Sequence, residues 1–237
     1  LKLYAFNSKE RRELLRDHVE KGLEAIKELY IDEGYHEYVA YRANLMGAKL
    51  RPVEIEAMIS MAYIYHDSGK AVEPLQTSIR KGGGAPGHEV LSAYLVNLVF
   101  KRWSKISDDI NVSVSLAILL HMNAARDMLE SLNVLKERWH QTSFYMLEEA
   151  IQEFNLIVSD LWNVKNMSPP IIPKKVIKVD YNEVIKSIME NIFSKLSRLK
   201  YGRLDRESAC KWFLAYMILH PLLICLLYTS PSPRDRG

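Results

Sequence analysis

The chain is poor in the residues that cross-link a fold or break up its regular structure. Its 237 residues include two cysteines, ten glycines and nine prolines. Two cysteines, Cys210 and Cys225, are too few for a disulfide framework, so we expect small core residues in a reducing, cytoplasmic protein. The scarcity of glycine and proline, with 48% hydrophobic and 26% charged residues, favours a helical globular protein.

The chain also lacks a strong charge of either sign and a long apolar run. A net charge of +3 does not by itself indicate nucleic-acid binding, which depends on local basic patches. The most apolar stretch, Trp212 to Tyr228, is interrupted by His220-Pro221. It is short for a membrane span, which needs about 20 apolar residues, so we interpret it as a buried helix. The charged segment Asn7 to Arg16 is not typical of a signal peptide. We expect no membrane association.

Hydrophobic periodicity predicts an all-α fold of about seven helices. Ser8 is the expected N-cap of the first helix. A proline-rich loop over 163–175 separates the later helices and precedes one short candidate strand, Val176 to Val179. The predicted helices are Ser8 to Tyr30, Val53 to His66, His88 to Trp103, Val112 to Leu129, Ser143 to Trp162, Tyr181 to Leu199 and Arg206 to Cys225.

The last twelve residues, 226–237, differ in character from the rest. They break the helical pattern abruptly and resemble translated vector or adaptor sequence. The chain also begins at Leu1 instead of methionine. We therefore predict a single domain over residues 1–225, truncated at both ends, followed by a non-native tail over 226–237.

The adjacent pair His66-Asp67 is the strongest functional signal. An imidazole and a carboxylate at the end of an apolar helix are poor core residues and good metal ligands. His18, His88 and His121 lie far apart in sequence, each on a different predicted helix. A single histidine on an apolar face is more often a hydrogen-bonded core residue, and this is the better interpretation of His18 alone. The inward placement of all four histidines instead predicts a metal site assembled by tertiary folding.

These residue types suit hydrolytic metal chemistry. An aspartate can bridge two ions, and two ions about 3.5–4 Å apart can activate water and stabilise a leaving oxygen in phosphodiester cleavage. Gly69 fits a helix end at which His66 and Asp67 could both reach one ion. Lys70 could hold a substrate phosphate, although a lone lysine here is usually solvated. Three other histidines, in different contexts, are assigned no role: His36, His140 and His220.

The motifs His66-Asp67-Ser68-Gly69-Lys70, Gly87-His88-Glu89 and Leu119-Leu120-His121, with His18 in the first helix, resemble the HD superfamily of metal-dependent phosphohydrolases. More narrowly, the chain resembles the stand-alone HD nuclease of type I CRISPR interference systems, particularly archaeal ones. The similarity in order and spacing spans residues 8–225. It implies an HD-domain helical bundle that cleaves single-stranded DNA as an endonuclease and exonuclease. It also implies recruitment by a guide-RNA surveillance complex and a helicase on a separate chain, since no Walker motif is present here.

The resemblance also implies one or two divalent transition-metal ions: Mn, Ni, Co, Fe or Zn, with Mg possible. His18, His66 and Asp67 would hold the first ion, and Asp67, His88 and His121 the second. Asp67 and Lys70 would be the catalytic residues.

The chain departs from the family in two places. Met122 stands where members often carry a second histidine, and a thioether is a poor ligand for a hard catalytic ion. The family's late aspartate has no clear counterpart. Asp205 fits better as a helix cap, with Ser208 three residues later.

A basic surface near the site is expected to bind the DNA backbone. Lys70, Arg80 and Lys81 are the first candidates, and Lys101, Arg102 and Lys105 are further ones. Two alternatives to the nuclease stay open. One is an HD phosphohydrolase that acts on nucleotides or cyclic nucleotides. The other is a catalytically inactive helical subunit that only binds the helicase or DNA.

Overall fold

The computed structural model describes residues 1–8, 12–100, 108–122, 128–139, 143–173, 177–196, 199–200 and 203–223. Helices α1 to α9 span Leu15–Ile26, Tyr35–Leu45, Pro52–Tyr65, Leu75–Arg80, His88–Phe100, Asp108–Leu120, Met128–Trp139, Glu148–Leu161 and Tyr181–Ile188. The last described helix, called the final helix here, spans Arg206–Leu222. Shorter helical segments are Lys27–Ile31, Ser68–Ala71, Met189–Phe193 and Ser194–Leu196. The predicted all-α class is confirmed.

Three short antiparallel strand pairs occur in the described chain. β1 and β2 are Tyr4–Asn7 and Arg12–Leu14, β3 and β4 are Ser143–Met146 and Ile177–Asp180, and β5 and β6 are Leu199–Lys200 and Arg203–Leu204. In the β3–β4 pair, Phe144 lies opposite Val179, and both side chains are buried. The strands therefore anchor loops to the bundle and do not form a layer of their own.

Helices α3 and α5 form the centre of the bundle. Almost every side chain from Ile55 to Tyr65, and from His88 to Phe100, is buried. A helix buried on all sides is a core helix and has no solvent-facing stripe. Helix α6 packs against both of them and against the final helix. The end of α3, the start of α5 and the end of α6 carry the histidines discussed below.

Two predicted helix starts are wrong. The first helix begins at Leu15 and not at Ser8, because Tyr4–Asn7 and Arg12–Leu14 pair as strands. The helix expected from Ser143 begins at Glu148, because Ser143–Met146 is strand β3. Its burial alternates, with Phe144 and Met146 inside, which is the period of a strand. The candidate strand near Val179 is confirmed as β4, shifted by one residue.

Other differences concern the number of helices and their bounds. Helices α2, α4 and α7 add to the seven that were predicted. The helix from His88 is described through Phe100, and its predicted end at Trp103 lies outside the described residues. The helix expected over 112–129 covers Asp108–Leu120. Asp205 is confirmed as a cap, since its Oδ1 accepts a hydrogen bond from the Ser208 amide at 2.7 Å.

Cys225 and the tail 226–237 lie outside the described residues. Within the described chain, no helix is both long and apolar enough to cross a membrane.

Candidate metal centre

The structure brings the five predicted ligands together where helices begin and end. His18 lies on α1, His66 is the C-cap of α3 with Asp67 next to it, His88 is the first residue of α5, and His121 directly follows α6. All five are buried, with 2–6% of their surface exposed. Four separate helices thus supply one polar cluster inside an apolar core.

The cluster divides into two groups that share Asp67. In the A triad, the Nε2 atoms of His18 and His66 lie 3.3 and 3.4 Å from Asp67 Oδ2. In the B triad, His88 Nε2 lies 3.0 Å from Asp67 Oδ1, and the His121 ring centroid is 5.3 Å from that of His88. Each triad presents one donor atom per residue, all within 4.8 Å of one another. Either set could hold a metal ion.

Backbone carbonyls fix the direction of three imidazoles. The Nδ1 atoms of His66, His88 and His121 lie 2.5, 2.8 and 2.6 Å from the carbonyl oxygen three residues earlier. A carbonyl only accepts, so Nδ1 must carry the proton and donate it. The lone pair then lies on Nε2, which faces the cluster. This is the usual arrangement around metal-bound histidines.

Two buried glutamates lie behind the ligands. Glu13 Oε2 is 3.6 Å from His18 Nδ1, and Glu89 Oε2 is 3.3 Å from His88 Nδ1. Both are at least nine-tenths buried. Glu89 is visible in the Gly-His-Glu motif, whereas no spacing signal marks Glu13, which the β1–β2 pair brings to α1.

Two glycines permit the close packing that forms the cluster. A Cβ on Gly69 would overlap the carbonyl of His88, and the Gly69 amide donates to Ser92 Oγ at 2.8 Å. Gly69 is therefore required mainly because the segment Ser68–Ala71 lies against α5. Its role in ending a helix is secondary. A Cβ on Gly22 would overlap the Tyr63 side chain, so α1 also lies close to α3.

Lys70 adds a positive charge next to the carboxylate of the cluster. Its Nζ lies 2.7 Å from Asp67 Oδ2. Burial raises the pKa of Asp67, but Lys70 and the histidines outweigh burial and hold it well below its usual range. Burial lowers the pKa of His66 well below its usual value, and burial together with His88 lowers that of His121 to about 4. At neutral pH, Asp67 is therefore charged and these imidazoles are neutral, the forms that bind metals.

The electron-pair donors of the cluster face one another, an arrangement that a bound cation would stabilise. The Nε2 lone pairs of His66, His88 and His121 face a carboxylate that also only accepts. His88 Nε2 is buried and makes no well-oriented hydrogen bond in the described structure, although Asp67 Oδ1 is 3.0 Å away. Facing lone pairs repel each other, and an ion between them converts the repulsion into coordination. The residues present therefore fit one or two divalent ions.

The other predicted residues lie away from the cluster or outside the described chain. Arg80 and Lys81 are exposed where α4 ends, and Arg80 pairs with Glu73 at 3.2 Å. In the described structure, neither forms a hydrogen bond or ion pair with the five ligands. His220 is exposed against Tyr30. Lys101, Arg102, Lys105 and His140 lie outside the described residues.

Comparison with known proteins supports the fold. No family model and no curated protein match the chain. A solved structure does match: the CRISPR-associated Cas3 HD domain protein MJ0384 from Methanocaldococcus jannaschii, with a TM-score of 0.59 and 15% identity. The match covers 89% of this chain and 95% of that protein. The chain therefore has the fold of a Cas3 HD domain, as its resemblance to the HD superfamily implied.

Proposed function

We propose that the protein is a metal-dependent HD nuclease that hydrolyses phosphodiesters of single-stranded DNA in type I CRISPR interference. The observation that carries the proposal is that the buried A and B triads, each with two histidines, share Asp67. A carboxylate with one oxygen directed to each triad can bridge two ions. Ion pairs of this kind are typical of enzymes that cleave phosphodiesters.

The A triad would hold one ion and the B triad the other. Imidazole-rich sites favour Mn, Ni, Co, Fe or Zn, and Mg is the less suited alternative. When bound, the ions supply Lewis-acid stabilisation of the phosphate and an activated water. Asp67 keeps its negative charge for them, because its pKa is held well below its usual range. Lys70, 18% exposed beside Asp67, would bind a phosphate oxygen.

The depth of the cluster favours a single strand over a duplex. The five ligands are at most 6% exposed, so a rigid duplex would not reach them without opening the bundle. A flexible strand can bring one phosphate inward. Arg80 and Lys81, exposed at the end of α4, are proposed to bind the strand outside the site.

The proposed partners rest on the resemblance to the HD nuclease of type I CRISPR systems, and the likeness to a CRISPR-associated Cas3 HD domain protein supports a CRISPR association. We place the chain in the cytoplasm, with a helicase on a separate chain that supplies single-stranded DNA. A guide-RNA surveillance complex would recruit both proteins to their target.

The test is cleavage of circular single-stranded DNA by protein stripped of metal and then supplied with Mn, Ni, Co or Mg. A circle has no ends, so its cleavage reports endonuclease action alone. Asp67→Ala should lose cleavage with every ion, whereas Asp160→Ala, which removes an exposed carboxylate paired with Arg16, should retain it.

Two results would overturn the proposal. Hydrolysis of nucleotides or cyclic nucleotides with DNA left intact would instead identify a nucleotide phosphohydrolase. DNA or helicase binding, with no bound metal and no cleavage under any condition, would identify a binding subunit.

A further inference from the structure

A cavity of about 550 Å³ lies at the opposite end of α6 from the metal centre. Ile110, near the start of α6, lines the cavity, whereas His121 follows the end of the helix. The 13 residues of α6 span about 20 Å, so the cavity and the cluster are separate. Its other walls come from the α2–α3 connection and the first turns of the final helix.

Positive charge exceeds negative charge among the described residues that line this cavity. Lys211 is 5% exposed, and its Nζ pairs with Glu207 Oε1 at 2.5 Å. Lys49 and Arg206 are exposed at the mouth, where Arg206 also donates to the Leu45 carbonyl at 2.6 Å. The described lining residues therefore include three cations and one carboxylate. Glu207 compensates the buried Lys211, whereas Lys49 and Arg206 face the solvent at the mouth, where both can meet an anion that enters the cavity.

The remaining lining is apolar. Ile110 and Leu214 are buried, and Met46 and Leu50 are half-buried at the cavity wall. A volume of about 550 Å³ lies within the usual range for small-molecule sites, about 300–1,000 Å³. A matching ligand would carry a flat apolar body and a compact anion. A phosphomonoester carries about −1.5 to −2 charge at pH 7, which matches the two exposed cations at the mouth, Lys49 and Arg206.

We propose that this cavity binds a nucleoside monophosphate. Lys49, Arg206 and Lys211 hold its phosphate, and the base lies on the apolar wall. The Glu207 carboxylate, 64% exposed beside Lys211, can accept a hydrogen bond from a sugar hydroxyl or a base amino group. The proposal uses none of the metal ligands and does not depend on nuclease activity.

Calorimetric titration of the full chain in EDTA tests the site. The probes are adenosine 5′-monophosphate, adenosine and inorganic phosphate. Adenosine measures the contribution of the nucleoside alone, and inorganic phosphate measures that of the anion alone. We expect the nucleotide to bind at least tenfold more tightly than either part. Lys49→Gln and Lys211→Met should each weaken nucleotide binding at least tenfold without changing adenosine binding.

Lys186→Met is the matched control. Lys186 also pairs with a glutamate one helical turn away, Glu190, but it is exposed and lies outside the cavity. This variant should bind the nucleotide as the parent does. Asp67→Ala should also bind it normally, which separates the cavity from the metal centre.

Three results would overturn the assignment: equal affinity for nucleotide and phosphate, unchanged nucleotide binding in Lys49→Gln, or loss of nucleotide binding in Asp67→Ala. Lys49→Gln is decisive if Lys211→Met does not fold, because Lys49 is exposed and its removal leaves the core intact.

Discussion

The A and B triads share Asp67 but have different surroundings. On the A side, Asp67 Oδ2 faces His18 and His66 and also accepts a hydrogen bond from Lys70 at 2.7 Å. On the B side, Asp67 Oδ1 faces His88 at 3.0 Å. One oxygen of the same carboxylate therefore already has a cation beside it, and the other faces an imidazole.

This difference predicts unequal affinities. An ammonium group beside Oδ2 repels a metal ion entering the A triad and competes for the same oxygen. The B triad has no such competitor within the described structure. The carbonyls of Ala85, in the loop before α5, and Ile118, on α6, orient both of its histidines. We therefore expect the first equivalent of metal to occupy the B triad and the second to bind more weakly in the A triad.

The largest effect is expected from Gly69→Ala, which breaks the B triad. The new methyl group would collide with the His88 carbonyl, so the turn that carries Asp67 and the start of α5 must separate. We expect loss of the tighter ion and a fall of about 1–3 kcal/mol in the free energy of unfolding, as in other overpacked sites. Metal analysis and urea denaturation measure the two effects.

Gly84→Ala is the control, because a Cβ there meets only the ring of Pro86, at 4.0 Å. It lies in the loop before His88 and should keep both ions and the parent stability. Unchanged metal content in Gly69→Ala would mean that this contact does not organise the B triad.

Glu13→Gln should weaken the A triad alone. The Glu13 carboxylate lies 3.6 Å from His18 Nδ1 and can increase the basicity of that ligand. Loss of a carboxylate behind a metal-bound histidine typically costs 10–100-fold in affinity. Competitive metal titration should show the weaker site weakened further and the tighter site unchanged. Glu20→Gln, an exposed change on α1, is the control. Equal weakening of both sites would contradict the division into two triads.

Lys70→Met should reduce the difference between the triads. Without the ammonium, the Asp67 charge is uncompensated in the metal-free protein, so its thermal midpoint should fall. The A triad loses its competitor, so we expect its ion to bind about tenfold more tightly. Thermal scans across a metal titration measure both changes. An unchanged metal affinity would show that Lys70 does not compete.

Sequence reasoning found the cluster but not the residues that support it. The histidines and Asp67 are candidate ligands by residue type and motif, and the Asp205–Ser208 cap is a signal within four residues. Glu13 is different, because its burial depends on a strand pair and on contact with α1. The sequence predicts helix at strand β3, since the partner strand β4 lies far along the chain, beyond the whole of α8. Such features depend on distant parts of the chain.

Helix α2 is hard to predict from the sequence for another physical reason. Tyr38, Tyr41 and Leu45 are exposed on it, while Val39 and Ala43 are buried. Large apolar side chains on the outer face cancel the amphipathic contrast on which helix prediction depends. The pattern is therefore weak in the sequence, although the helix packs against α3 and the final helix.

The last predicted effect is a pH dependence of the metal-free protein. His121, with its pKa lowered to about 4, stays neutral in the folded state under conditions that protonate it in the unfolded chain, near pH 6.5. His66 behaves in the same direction. The unfolded state thus binds more protons between pH 6.5 and about 4, so stability must fall as the pH falls through this window.

Each such histidine contributes a slope of at most about 1.4 kcal/mol per pH unit. Urea denaturation in EDTA at several pH values measures the slope. His121→Gln should remove the B contribution and leave that of His66 in the A triad, so the slope should decrease without vanishing. A variant as pH-sensitive as the parent would show that His121 is protonated in the folded, metal-free protein, and the B triad would then lack the neutral imidazole that prepares it for an ion.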